Sequence, residues 1–427
     1  MAHTDIFADM MYFRAMNWTQ LHAFDPTTKD QWLKAIQKEL GERTVDDLMW
    51  SPSEGIRIEP YYTEIKGRVL HKLGVYPALI HQHVQGAAME DVRTEALECL
   101  MGGAQSIGFD AVPVDLDWDT QLKDIEWPYI QLHWRNFPLT TNAIAALSAY
   151  ADRRGWDRTQ LKGCWGIDAA ATWQGECDMQ ALKFVRQQFP ACRVFVIAER
   201  SFAGGQTGHQ LVGLLAQVQE ALHALVSAGF TIDDASAMLQ INTSMSTSYF
   251  KEMIRLRVLR LLYGSIVRAY QPQYSCSIGV WIHTIAGDGA YAQADTHTNL
   301  LRATTMAMSA MLGQTSSLEI QPHDPQHQRQ DTLRWARNMM HLLREESYFD
   351  QALHAAQGSY YLEDWSAQLA HDTWSRLIAM EEAGGWQGQS ADWLSKAEQW
   401  ERTRQEQIAS GQIIHVGVNK YQAQAHA

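Results

Sequence analysis

His81 and His83 stand two residues apart in the run ALIHQHV, so on an extended segment both imidazoles fall on one side, the way a strand offers a metal ion two ligands. Asp324, in QPHDP, is a carboxylate that could join them. An open catalytic metal site needs about three protein ligands. The runs where further ligands would be sought end instead in Asp168-Ala169-Ala170, Glu199-Arg200 and Asn242-Thr243-Ser244. Histidines hydrogen-bonded at a rim account for the pair, and no metal ligand is expected. The glycine-rich SFAGGQTG (Ser201 to Gly208) could present an anion to a helix N-terminus, but it lacks the Lys-Ser/Thr ending of a P-loop and the dinucleotide spacing. A plain turn suffices. In ADTHTN, Asp295 or Thr296 reads as a helix N-cap beside His297. Lys251, Arg255, Arg257 and Arg260 punctuate one long helical run, where a salt-bridged outer face is expected. There is no GxSxG elbow and no cysteine in an electropositive turn, so nucleophilic catalysis has no candidate.

The elements that must position these groups alternate regularly from about Tyr76. Short β-rich runs occur at ALIHQHV, SIGFDAV, YIQLHW, CWGIDA, CRVFVIA, LQINTSM, CSIGVWIH and SLEIQP, with amphipathic stretches between them. Repeated strand–helix units require parallel pairing with right-handed crossovers, and this many strands fit a closed (β/α)8 TIM barrel. An open doubly wound sheet would show a Gly-rich first turn, which is missing. Before the barrel, Trp32, Ile36 and Leu40 mark a helix with Asp25 or Thr27 as its cap, and GIRIEPYYT reads as extended. After it come DTLRWARNMMHLLREE, WSAQLAHDTWSRLIAMEE and SADWLSKAEQWERTRQEQIAS, the last two closed by Gly384–Gly385 and Gly411. The chain thus divides into an N-terminal arm (1–70), the barrel (71–345) and a C-terminal helical extension (346–427). Chemistry in such a barrel belongs at the C-terminal ends of the strands, which makes His81, His83, Glu199, Arg200 and Asp324 the barrel-mouth positions to watch.

Composition narrows the function classes. The 427 residues carry a formal net charge of −13, which disfavours a phosphate-backbone partner, and no basic stripe interleaves with aromatics. No apolar run approaches the roughly 20 residues of a membrane span, and the N-terminus has no apolar signal-peptide core. Five cysteines without a CxxC pair read as reduced core thiols, and a cytoplasmic setting is expected.

Several stretches go further. ESYFDQALHAAQGSYYLEDWSAQLAHDTWSRLIAMEEAGG resembles the segment after the barrel in methylmalonyl-CoA mutases, with its GSYY(I/V)E start and E-x-x-GG end. SYFKEMIRLRVLRLLY is similar to the family's YFxEIAKLRAxRxLW helix, TNLLRATTMAMSAMLG to its N(I/M)(V/L)RTTxxAxxAxxGG helix, and GVNKY (Gly417 to Tyr421) to its barrel-domain ending. WSPSEGIRIEPYYT resembles the opening of the small, beta subunits. The likeness runs from about Phe24 to Tyr421.

The resemblance implies a division of labour. Catalytic members thread coenzyme A through the barrel axis and hold an adenosylcobalamin domain over the mouth, the cofactor supplying the radical chemistry. Their RPWTIRQYAGF has a tyrosine at the reacting centre, whereas this chain reads VYPALIHQHVQGA. Their SGYHxxEAGA has a histidine where Glu199, or Arg200 beside it, stands here. A carboxylate cannot take over the role of a neutral imidazole donor without changing protonation. No DxHxxG cobalamin motif follows, and the ADTHTNL run lacks its glycine. Phe109, Trp134 and Trp281 are expected to fill the axis. The implied function is a non-catalytic small subunit of a heteromeric acyl-CoA isomerase. No catalytic residue or cofactor is expected in this chain alone, and adenosylcobalamin belongs to a larger partner of the same fold. Two alternatives are a catalytic acyl-CoA mutase barrel borrowing a separate cobalamin-binding subunit, and a metal-dependent barrel hydrolase built on His81 and His83.

Overall fold

A computed structural model describes residues 27–52, 55–64, 78–86, 88–110, 117–173, 178–199, 207–287, 289–324, 329–351 and 355–422. Eight strands form a closed barrel in sequence order: β1 (Leu79–His83), β2 (Ser106–Phe109), β3 (Gln131–Trp134), β4 (Lys162–Asp168), β5 (Cys192–Ala198), β6 (Leu239–Met245), β7 (Trp281–Ala286) and β8 (Ser317–Ile320). Every neighbouring pair is parallel, and β1 closes on β8 with His81 opposite Glu319. All eight expected strands are present, although the run at CSIGVWIH begins with a 3-10 turn over Ser275–Ile278 and becomes strand only at Trp281.

The described helices of ten residues or more are α1 (Lys29–Leu40), α2 (Met89–Met101), α3 (Thr141–Arg153), α4 (Met179–Gln188), α5 (Thr207–Ser227), α6 (Tyr249–Ala269), α7 (Thr298–Leu312), α8 (Arg329–His341), α9 (Tyr360–Glu382) and α10 (Gly385–Ala409). Thr28 caps α1 in a capping box with Gln31, one residue past the expected Thr27, while Asp25 lies outside the described residues. The N-cap of α7 is His297, not Asp295 or Thr296, although Asp295 two residues earlier accepts from the Thr298 backbone N–H at 3.3 Å. Gly384 takes a left-handed φ of 109° between α9 and α10, where a side chain would be strained.

Around β3 and β4 the shell between strands and helices is rich in aromatic rings. Trp134 contacts Trp118, Trp127, Phe137 and Trp165 in this shell, so it faces away from the axis. Ser106 reaches His81 and the Cα of Gly108 faces His81 and His83, so alternation turns Phe109 outward as well. These two residues do not fill the axis; Trp281 does project into it.

The arginines of α6 also differ from expectation. They do not make an outer salt-bridged face, because α9 and the strand ends cover them. Arg255 is 1% exposed and pairs with Glu252 at 2.6 Å. Arg257 pairs with fully buried Glu363 of α9 at 2.9 Å. Arg260 donates to the carbonyls of Val280 and Gln314. Helix periodicity could not distinguish a solvated face from one covered by a later helix. The C-terminal helices are packed closely: a Cβ on Gly213 of α5 would come within 2.2 Å of the Trp393 ring of α10. The segment before the barrel lies on α9, through Trp50 edge-on to Trp365 and Tyr62 donating to Asp364 at 2.9 Å. Cys99, Cys164 and Cys192 are buried free thiols as expected, Cys276 is exposed instead, and Cys177 lies outside the described residues.

Candidate active site at the barrel mouth

Inward-facing residues stack in tiers along the barrel axis. At the lower end Arg193 of β5 donates to the side-chain oxygens of Gln131 (β3) and Gln240 (β6), both at 2.8 Å. Its guanidinium lies 3.9 Å from the centre of the Trp281 ring of β7. Burial pulls the arginine's pKa down, and no carboxylate partners it among the described residues. Two amides and an aromatic face thus hold a buried cation where a threaded ligand would have to pass.

Above this plug lies a tier of imidazoles. His81, His133 and His283 come from β1, β3 and β7, the alternate-strand layering of a filled barrel. The His81 ring sits edge-on to His133 and His283, with centroids 5.0 and 4.6 Å away. Each of two rings is fixed by a serine one strand over: His81 Nδ1 to Ser106 Oγ at 2.8 Å, and His283 Nδ1 to Ser317 Oγ at 2.9 Å. Their Nε2 atoms turn toward one oxygen of Glu319, 3.8 Å from His81 and 3.6 Å from His283. Burial drives the pKa of His81 and of His133 well below the ordinary histidine value. Burial alone would raise Glu319, but the His283 imidazole beside it, with His83 and Arg135, holds the carboxyl below its usual range.

The tier floors a cavity of about 430 Å³ that opens at the strand ends and is lined also by His83, Glu199, Asn242 and Ser244. A second cavity of about 740 Å³ adjoins it through His83, Arg135 and Glu319 and reaches Asp324 and Arg329. The expected mouth positions therefore gather only in part. His81 and His83 do share a face, and His83 Nε2 lies 2.9 Å from Asp110 Oδ1. Glu199 borders the first cavity, yet its carboxylate is tied back to β6. One oxygen accepts from Thr243 Oγ1 at 2.8 Å and from the Ser244 N–H at 3.2 Å, with Arg255 3.8 Å away. Burial pushes its carboxyl up despite that arginine. Asp324 belongs to the second cavity, away from the imidazole tier, and Arg200 and most of SFAGGQTG lie outside the described residues.

Sequence reasoning missed His133, His283, Glu319 and Arg193. The signal was there in the alternation: QLHW and SLEI alternate polar with apolar residues, and VWIH and CRVF each carry one polar residue among apolar ones. A polar residue on a strand covered by helices points inward to the axis or needs a buried partner.

The methylmalonyl-CoA mutase family model matches residues 106–427. The chain is 28% identical over 435 residues to the methylmalonyl-CoA mutase small subunit of Porphyromonas gingivalis, covering 93% of this chain and 70% of that one. It is 24% identical over 453 residues to the methylmalonyl-CoA mutase of Cereibacter sphaeroides, covering 92% of this chain and 64% of that one. To the large subunit from Porphyromonas gingivalis it is 28% identical over 223 residues, 51% of this chain and 31% of that one.

Proposed function

The chain belongs to the methylmalonyl-CoA mutase family, and within it we propose that this is the small subunit of a heteromeric mutase, a barrel that supports a catalytic partner and does not itself isomerise an acyl-CoA. The observation that carries this reading is the plug across the axis. A pantetheine arm running down the barrel would have to displace Arg193, Gln131, Gln240 and Trp281. That would leave a buried guanidinium and two buried amides without partners, at a cost of about 1–3 kcal/mol for each orphaned group. The mouth itself has no tyrosine on β1 and places a structural carboxylate, Glu199, on the rim.

On this reading adenosylcobalamin and the acyl-CoA are bound by a larger subunit of the same fold, in the cytoplasm. The small subunit contributes an interface that stabilises that partner. The two Porphyromonas gingivalis relatives, one named small and one named large, are a precedent for such a pairing. Co-purification from the native source tests it: a larger, cobalamin-carrying barrel should elute with this chain. A chain that elutes alone and isomerises methylmalonyl-CoA would overturn the proposal.

A further inference from the structure

We propose that His81, His283 and Glu319 form a binding site for one divalent transition-metal ion of the zinc type, at the floor of the barrel-mouth cavity. Their ligand atoms all lie within 4.8 Å of one another and all three side chains are buried. The separations from Glu319, 3.6 and 3.8 Å, are too long for hydrogen bonds. They approach the spacing of about 3.3 Å between ligands that tetrahedral bonds of about 2.0–2.1 Å impose. Small rotations of the imidazoles would close the difference.

The surroundings are those of a ligand set. Ser106 and Ser317 hold the two Nδ1 atoms, which leaves each Nε2 directed at the carboxylate, as outer hydrogen bonds orient metal-binding histidines. Next to them, buried His133 has no hydrogen-bond partner on its Nε2. Gly108 keeps the space clear, since a Cβ there would lie 2.7 Å from both His81 Nε2 and His83 Nδ1. Two nitrogens and one oxygen suit zinc better than calcium or magnesium, which prefer oxygen ligands. Two cations lie near, but Arg193 is engaged by Gln131, Gln240 and Trp281, and exposed Arg135 faces Asp110 at 3.6 Å. All three ligands line the mouth cavity, so the remaining coordination position opens to solvent. The site needs only residues of this chain and stands whether or not the subunit proposal does.

The test uses the full chain, stripped with a chelator, equilibrated with zinc chloride and desalted. Elemental analysis should find about one zinc per chain. Zinc should raise the thermal unfolding midpoint, and cobalt in its place should give the visible absorption of a four- or five-coordinate ion. His283→Gln and Glu319→Gln should each lose the metal and the zinc-dependent rise. Background zinc in the wild-type chain, or full zinc retention by both variants, would overturn the proposal; the wild-type measurement decides even where a variant folds poorly.

Discussion

Burial sets the protonation of His81 and His133. His81 and His133 stay neutral in the fold at pH values where the unfolded chain takes up protons near the ordinary value of about 6.5. Within that window the unfolded state binds more protons, so stability falls as the pH is lowered through it. For the metal-free chain, the thermal unfolding midpoint should therefore drop between about pH 7.5 and about pH 5.5, and His133→Gln should flatten the slope. A wild-type midpoint that rises on acidification would contradict neutral His81 and His133. Glu199, raised by burial, contributes the opposite slope at lower pH. At this scale the sequence was only partly legible. His81 and His83 could be paired by spacing alone. His133, His283 and Glu319 sit on three other strands, and only closure of the barrel brings them to His81.

Elements join through buried charge as well as apolar contact. The Arg257–Glu363 pair links α6 to α9, and the same Glu363 oxygen also accepts from the Gly358 backbone N–H at 3.2 Å. Glu363→Ala leaves Arg257 buried and unpaired, and should lower the unfolding free energy by about 3–5 kcal/mol in a urea titration. Replacing both partners together, Arg257→Met with Glu363→Leu, should recover most of that loss; a double variant as unstable as the single would show that the pair is not the link. Strand β4 depends on a different feature. Its register shifts between Cys164 and Ile167, where Gly166 takes a φ of 65° and a Cβ would come 1.7 Å from the Trp134 carbonyl. Helix and strand runs were legible from periodicity because each has one apolar face against the core. Which polar residues became buried was not, because α9 covers α6 from more than a hundred positions along the chain.

The whole molecule is a closed parallel barrel with its lower axis plugged, an imidazole tier above the plug and open cavities at the mouth. The barrel could be inferred from alternation, since parallel strands with helical crossovers have few ways to bury both faces. The plug could not, because the direction each strand faces follows from barrel closure and not from residue type; Trp134, Phe109 and Trp281 look alike in sequence. The most direct measurement of the central claim is equilibrium binding and turnover of methylmalonyl-CoA by the purified chain, with adenosylcobalamin supplied and no second subunit. The plugged axis predicts neither saturable acyl-CoA binding nor isomerisation. Stoichiometric acyl-CoA binding accompanied by succinyl-CoA formation would contradict it.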